Sequence, residues 1–75
     1  MSSKKRYSME ELQNLKKNLR DLRKQFSYTQ AFVAEQIGIT CSSYQAYEWG
    51  ATVPTLQNFI KLAKLYGISL DELLE

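Results

Sequence analysis

From Met9 onward the apolar residues Met9, Leu12, Leu15, Leu19, Leu22 and Phe26 recur in steps of three or four, which draws one stripe along a helix. Ser8, with Glu11 three residues on, forms a capping box, so this first helix is expected to open at Met9. Beyond Phe26 punctuation is more informative than periodicity. Gly38, Gly50 and Gly67 each stand two to five residues ahead of a hydroxyl residue suited to an N-cap, namely Thr40, Thr55 and Ser69, and Thr29 supplies one more start. The spacing predicts a second helix over about residues 30–37, a third over 41–49, a fourth over 56–66 and a fifth from Leu70 on. Ser69 and Glu72 make a second capping box, and Pro54 sits at a helix boundary, where its missing N–H does least harm. No useful run alternates with period two. The expected fold is therefore all-α, five helices in one compact domain over residues 8–75, without repeats or low-complexity segments.

Composition narrows what such a fold could do. Seventy-five residues leave room for a single small core, so an enclosed substrate cavity is not expected. The chain has no His and one Cys, which excludes a disulfide framework and a Cys/His zinc site; no metal or other cofactor is expected, and the cysteine usage fits a reducing, cytoplasmic setting. The lone Cys has no imidazole base, and no carboxylate pair or Gly-rich phosphate loop is recognisable, so an enzyme is not expected either. No apolar stretch of signal-peptide or membrane-spanning length follows the basic run Lys4, Lys5, Arg6, so a membrane partner is not expected.

A net charge of +2 conceals a marked asymmetry. Residues 1–24 carry eight basic and three acidic side chains, whereas residues 25–60 carry no Lys or Arg at all. The positive field is therefore N-terminal: a short basic arm over residues 1–7, then one face of the first helix.

The second and third helices are each about two turns long and meet at Gly38-Ile39-Thr40, a three-residue connection containing glycine, which is the mark of a helix-turn-helix. Val33, Ile37, Ile39, Tyr44 and Tyr47 are spaced to face a shared core, with the small Ala34 where the helices approach. Gly38 supplies the left-handed backbone for the turn. Phe32 and Val33 are adjacent and cannot both face inward, so Phe32 is expected to stay partly exposed. On the third helix the inward Tyr44 and Tyr47 leave Cys41, Ser42, Gln45, Ala46 and Trp49 toward the outside.

Residues 28–50, YTQAFVAEQIGITCSSYQAYEWG, resemble the phage repressor and Cro-type helix-turn-helix family of DNA-binding regulators. The resemblance rests on Thr29-Gln30 opening the second helix, Ala34 to Gly38 spaced as A-x-x-x-G, Glu48 to Gly50 as E-x-G, Pro54-Thr55, and the ending LAKLYGISLDELL over residues 62–74. It implies a lambda-repressor-like domain that binds double-stranded DNA, with the third helix in the major groove. Cys41, Ser42, Gln45, Ala46 and Trp49 then become the candidate base readers, Gln45 by bidentate pairing with adenine.

Candidate phosphate contacts without charge are Thr29 and Gln30 at the start of the second helix, Thr40 and Ser43 at the start of the third, and the backbone amides of residues 50–52, including Ala51 and Thr52. Cationic contacts would come from Lys4, Lys5 and Arg6 on the arm and from Lys16, Lys17 and Arg20 on the first helix. The resemblance further implies an ion pair between Arg23 and Glu48. It also implies a homodimer joined through Ile68, Leu70, Leu73 and Leu74 that reads half-sites roughly one duplex turn, ~34 Å, apart. The sequence departs from many relatives in carrying Cys41, Ala46, Trp49, Ala51 and Thr52 where they carry cations. That departure leaves open a protein-interaction module on the same fold with weak or lost DNA binding.

Overall fold

The structure, a computed structural model, describes residues 8–75; the predicted arm, with Lys4, Lys5 and Arg6, lies outside the described residues. Five helices follow one another: α1 (Met9–Gln25), α2 (Gln30–Ile37), α3 (Cys41–Trp49), α4 (Leu56–Tyr66) and α5 (Leu70–Leu74). Among the described residues there is no strand.

Each helix starts where a hydroxyl can cap it. Ser8, Thr29, Thr40, Thr55 and Ser69 all sit in extended backbone and accept a hydrogen bond from the amide three residues on. At Ser8 and Ser69 the bond is reciprocal: Glu11 and Glu72 return a carboxylate to the capping residue's own N–H, at 2.9 and 2.8 Å. The stops of α2 and α3 are Gly38 and Gly50 with φ +78° and +80°, a region that strains any residue with a Cβ.

The core is one cluster drawn from every helix. Leu15 and Leu19 come from α1, Val33, Ala34 and Ile37 from α2, Tyr44 and Tyr47 from α3, Phe59, Leu62, Ala63 and Tyr66 from α4, and Leu73 from α5. Val33 is fully enclosed and the adjacent Phe32 stays partly exposed, as two neighbours on one helix must divide. α2 packs on α3 and α4, and α1 packs on α3 and α5.

Three expectations need correction. Met9, at the first turn of α1, is 71% exposed and contributes nothing to the core. Phe26 is not part of the α1 stripe but its C-cap, with its ring 5.5 Å from that of Tyr28 and 5.1 Å from that of Tyr66. There Ser27 turns the chain with φ +59°, while Tyr28 N–H closes back on the Arg23 carbonyl at 2.9 Å. Leu73, placed by expectation at a contact between two copies, is entirely enclosed by its own chain. It has no surface left for a partner, whereas Ile68, Leu70 and Leu74 are half-buried against the same core.

Side chains from α1 hold α5 in place. Asn18 Nδ2 donates to the Leu73 carbonyl at 2.9 Å and to that of Glu75 at 3.0 Å, and Asn14 Nδ2 donates to the Leu74 carbonyl at 3.1 Å. These are carbonyls that a helix end leaves without an internal partner.

Candidate nucleic-acid interface

The outward side of α3 is organised from beneath by a buried charge. Glu48 is 4% exposed, and its four lone-pair directions are all taken. Oε2 accepts from Arg23 Nε and from the Tyr44 hydroxyl, both at 2.6 Å. Oε1 accepts from Arg23 Nη2 at 3.1 Å and from Gln30 Nε2 at 3.2 Å. Burial alone would push the Glu48 carboxyl up, but the hydrogen bonds from Arg23, Tyr44 and Gln30 outweigh it and hold the pKa below the ordinary glutamate range. Arg23, bonded to Glu48, is raised in turn; its remaining donor Nη1 reaches the Tyr28 carbonyl at 3.2 Å. The pair thus ties α1 and the turn before α2 to the last turn of α3. Tyr44 is pushed well above the ordinary tyrosine range by burial and by its bond to Glu48. Tyr66, whose buried hydroxyl finds no hydrogen-bond partner among the described residues, is pushed up to about 12 by burial and the nearby Glu48 charge.

On top of this base lie the proposed readers. Ser42 and Trp49 are exposed, Trp49 at 69%, while Cys41, Gln45 and Ala46 are half-buried. Gln45 is not a free-swinging amide: its Nε2 donates to Gln30 Oε1 at 3.0 Å. Gln30 was expected at a phosphate, yet both ends of its side-chain amide are engaged within the protein, leaving one amide hydrogen for a ligand. Nothing in the sequence announced that Gln30 and Gln45 meet, because the contact spans two helices.

At the helix starts, the Thr40 hydroxyl accepts from the Ser43 amide and donates to the Ser43 oxygen at 2.9 Å, so Ser43 keeps its own hydroxyl hydrogen. Thr29 Oγ1 accepts from the Phe32 amide at 3.0 Å. The first amides of α2, at Gln30 and Ala31, have no helical carbonyl to bond, as at any helix start.

The loop after α3 is different from expectation. The amides of Gly50, Ala51 and Thr52 turn back to close the helix: Gly50 N–H reaches the Tyr47 carbonyl at 3.3 Å, and those of Ala51 and Thr52 reach the Ala46 carbonyl at 2.9 and 3.4 Å. They are consumed by the cap and do not point outward to a phosphate. What the fold supplies here instead is a cation: a Cβ on Gly50 would stand 3.0 Å from Lys16 Cδ and 3.6 Å from its Nζ. Lys16 thus lies across the negative end of the α3 dipole.

Of the other α1 cations, Lys17 is engaged with Asp21 at 2.9 Å on an exposed face, and that bond lowers the Asp21 pKa; Arg20 is exposed. Lys61, from α4, donates to the Ile37 carbonyl at 3.4 Å. No helix among the described residues is long and apolar enough to cross a membrane.

Comparison with known proteins adds a second line of support. The helix-turn-helix family profile matches residues 19–73. The chain is similar to the cryptic phage CTXphi transcriptional repressor RstR of Vibrio cholerae serotype O1, 44% identical over 59 residues that cover 79% of this chain and 53% of the relative. It is also similar to two uncharacterized HTH-type transcriptional regulators of Bacillus subtilis. YobD is 45% identical over 75% of this chain and 50% of its own length, and YqaE is 40% identical over 77% and 50%. The chain thus spans about half the length of these curated relatives. No solved structure matches it.

Proposed function

The chain belongs to the phage repressor and Cro-type helix-turn-helix family, and from that premise we propose that it is a sequence-specific regulator of transcription that binds double-stranded DNA as a homodimer. The carrying observation is the surface of α3, where exposed Ser42 and Trp49 flank a half-buried Gln45 whose amide is hydrogen-bonded to Gln30. A two-turn helix with such an edge suits a major groove about 12 Å wide. Gln45 pairs with adenine, Ser42 donates or accepts at either base type, Ala46 and Trp49 meet thymine methyls, and Cys41 lies at the entering end.

Phosphates are held by the Gln30 and Ala31 amides with Thr29, by Ser43 beside Thr40, and by Lys16 and Arg20. Lys17 contributes after release from Asp21, and Lys4, Lys5 and Arg6 extend the contact as an arm ahead of the domain over residues 8–75. The homodimer uses the apolar surface that remains at Ile68, Leu70 and Leu74, which places two α3 helices on half-sites about one turn apart. The role is binding rather than catalysis, in the cytoplasm.

Selection of bound duplexes from a random library, at low and moderate salt, tests this reading. Enrichment of a palindrome with half-sites one turn apart is expected. Absence of binding even at low salt refutes it and favours the interaction module, for which the specific observation is an exposed Trp49 within a segment, residues 25–60, without a single Lys or Arg. In that case the aromatic surface at Trp49 and Phe32 is the partner face.

A further inference from the structure

The apolar pattern does not stop where α4 stops. Phe59, Leu62, Ala63 and Tyr66 form the buried face of α4, and Leu70 and Leu73 follow four and seven residues after Tyr66, still at helical spacing. Were α4 and α5 one helix over residues 56–74, all six side chains would lie in a single stripe about 100° wide. What breaks that helix is Gly67, left-handed at φ +68°, and the Ser69 cap two residues on. The segment thus has two readings, a turn written by Gly67 and Ser69 and a long helix written by the apolar spacing.

The seat of α5 lies chiefly on α1. Leu73 is fully enclosed there, and Asn14 and Asn18 hold the carbonyls of Leu73, Leu74 and Glu75. None of these contacts depends on which chain supplies α5, because the carbonyls belong to its C-terminal end and are free of helical partners in either reading. Among the described residues no ion pair joins α1 to α5. Asp21 instead shares a cleft with Glu72 and Glu75, and Glu11 shares one with Asp71 and Glu75, so like charges flank the seat.

We infer that α5 is an exchangeable element: in the homodimer each copy extends α4 through Gly67 into α5 and sets its Leu73 into the socket on α1 of the other copy. The partner is a second copy, because the fit of this segment to this socket is what the fold itself displays. The inference rests on the homodimer reading and gives the contact its mode. Leu73, sealed within the closed chain, becomes an interface residue in the open one. Exchange keeps every contact of α5 with its seat and alters only the connection. The capping box of Ser69 and Glu72 is given up for continuous helical hydrogen bonds, so residues 67–69 set the balance between the two forms.

The full chain tests this with Asp21→Cys and Glu75→Cys together, in a Cys41→Ser background. Both positions are exposed and line one cleft between α1 and α5, so a short bis-maleimide joins them. In a closed chain the link lies within one chain; in an exchanged dimer it lies between two. The dimer fraction from size-exclusion chromatography is expected to run as covalent dimer on a denaturing gel, and the monomer fraction as linked monomer. Gly67→Ala is expected to raise the dimerisation constant about a thousandfold, since in both chains it strains the left-handed turn and favours the helix. A Cβ there meets nothing within 4 Å, so the strain is confined to the backbone. Should that variant fold poorly, Ser69→Ala weakens the turn through its cap alone, with a rise of about thirtyfold expected.

Dimers whose links lie only within chains overturn the exchange while the homodimer stands. A dimerisation constant unmoved or lowered by both substitutions overturns the long helix. If neither the unsubstituted chain nor the variants dimerise, the homodimer and the exchange fall together.

Discussion

Glu48→Ala removes one carboxylate and strands four donor groups on three residues. Arg23, with 15% of its side chain exposed, loses its counter-charge; the Tyr44 hydroxyl, on a residue with no exposure, loses its acceptor; and Gln30 loses the anchor of its amide. Breaking a buried ion pair from one side costs about 3–5 kcal/mol, and an orphaned buried hydroxyl by itself about 1–3 kcal/mol. These losses share one acceptor and do not add, so the single substitution is expected to cost about 3–5 kcal/mol. For a chain of this length total stability is on the order of 4–11 kcal/mol, which makes that a large fraction.

Arg23→Met with Glu48→Leu removes both charges together and leaves chiefly the Tyr44 hydroxyl unsatisfied, a loss of about 1–3 kcal/mol. Adding Tyr44→Phe removes that orphan as well. Thermal unfolding followed by circular dichroism should therefore rank Glu48→Ala lowest, the double variant above it by about 8–16 °C, and the triple variant highest of the three. If Glu48→Ala melts at or above the double variant, the account of Glu48 as a buried charge held by its donors is wrong.

Four further outcomes follow from the same geometry. Because the Glu48 pKa is depressed in the folded state, its contribution to stability is present above the ordinary glutamate value of about 4.3 and lost as pH falls through the folded value; urea unfolding across that range should show a steeper acid loss for the natural sequence than for the Arg23→Met, Glu48→Leu double variant. Ser27→Gly should raise stability by up to about 1 kcal/mol by relieving a left-handed serine, and Ser27→Val should lower it; equal melting temperatures would show that the turn carries no strain. Asn18→Ala should cost about 1–2 kcal/mol and speed amide exchange in α5 before any other helix, which hydrogen-exchange mass spectrometry would detect. Under the proposed function, Lys16→Ala should weaken binding to every duplex and reduce the salt slope by about one, while Gln45→Ala should cost about 1–3 kcal/mol at a single base; identical losses on matched and scrambled duplexes would remove Gln45 from the readers.

The helix boundaries were legible because their signals are local. A capping hydroxyl and a left-handed glycine act within four residues, so Thr29, Gly38, Thr40 and Gly50 bound α2 and α3 without reference to the rest of the chain. The end of α1 was not legible in this way, since Ser27 takes the left-handed position with no glycine to mark it, and Phe26 therefore looked like one more residue of the apolar stripe. The use of the amides after α3 could have been read: a glycine that closes a helix implies that the next amide bonds back to it, which leaves Ala51 unavailable. The Gln30 to Gln45 and Asn18 to Leu73 bonds had no such signal, because they join residues 15 and 55 positions apart, the first between two side chains and the second from a side chain to a backbone carbonyl. Leu73 shows a similar limit: apolar spacing identifies a face to be covered but does not say whether its own chain or another copy covers it.

The clamp between α1 and α5 bears on the order in which the molecule forms. Five residues are too few to persist as a helix in water, so α5 waits for Asn14, Asn18 and the Leu73 socket to exist. A helix held in this way is expected to open ahead of the longer helices, which faster amide exchange in α5 would report. Its departure would uncover apolar core where Leu73 is seated, a surface on which partly open molecules can associate. Substitutions that tighten α5 would accordingly close this opening and reduce that association.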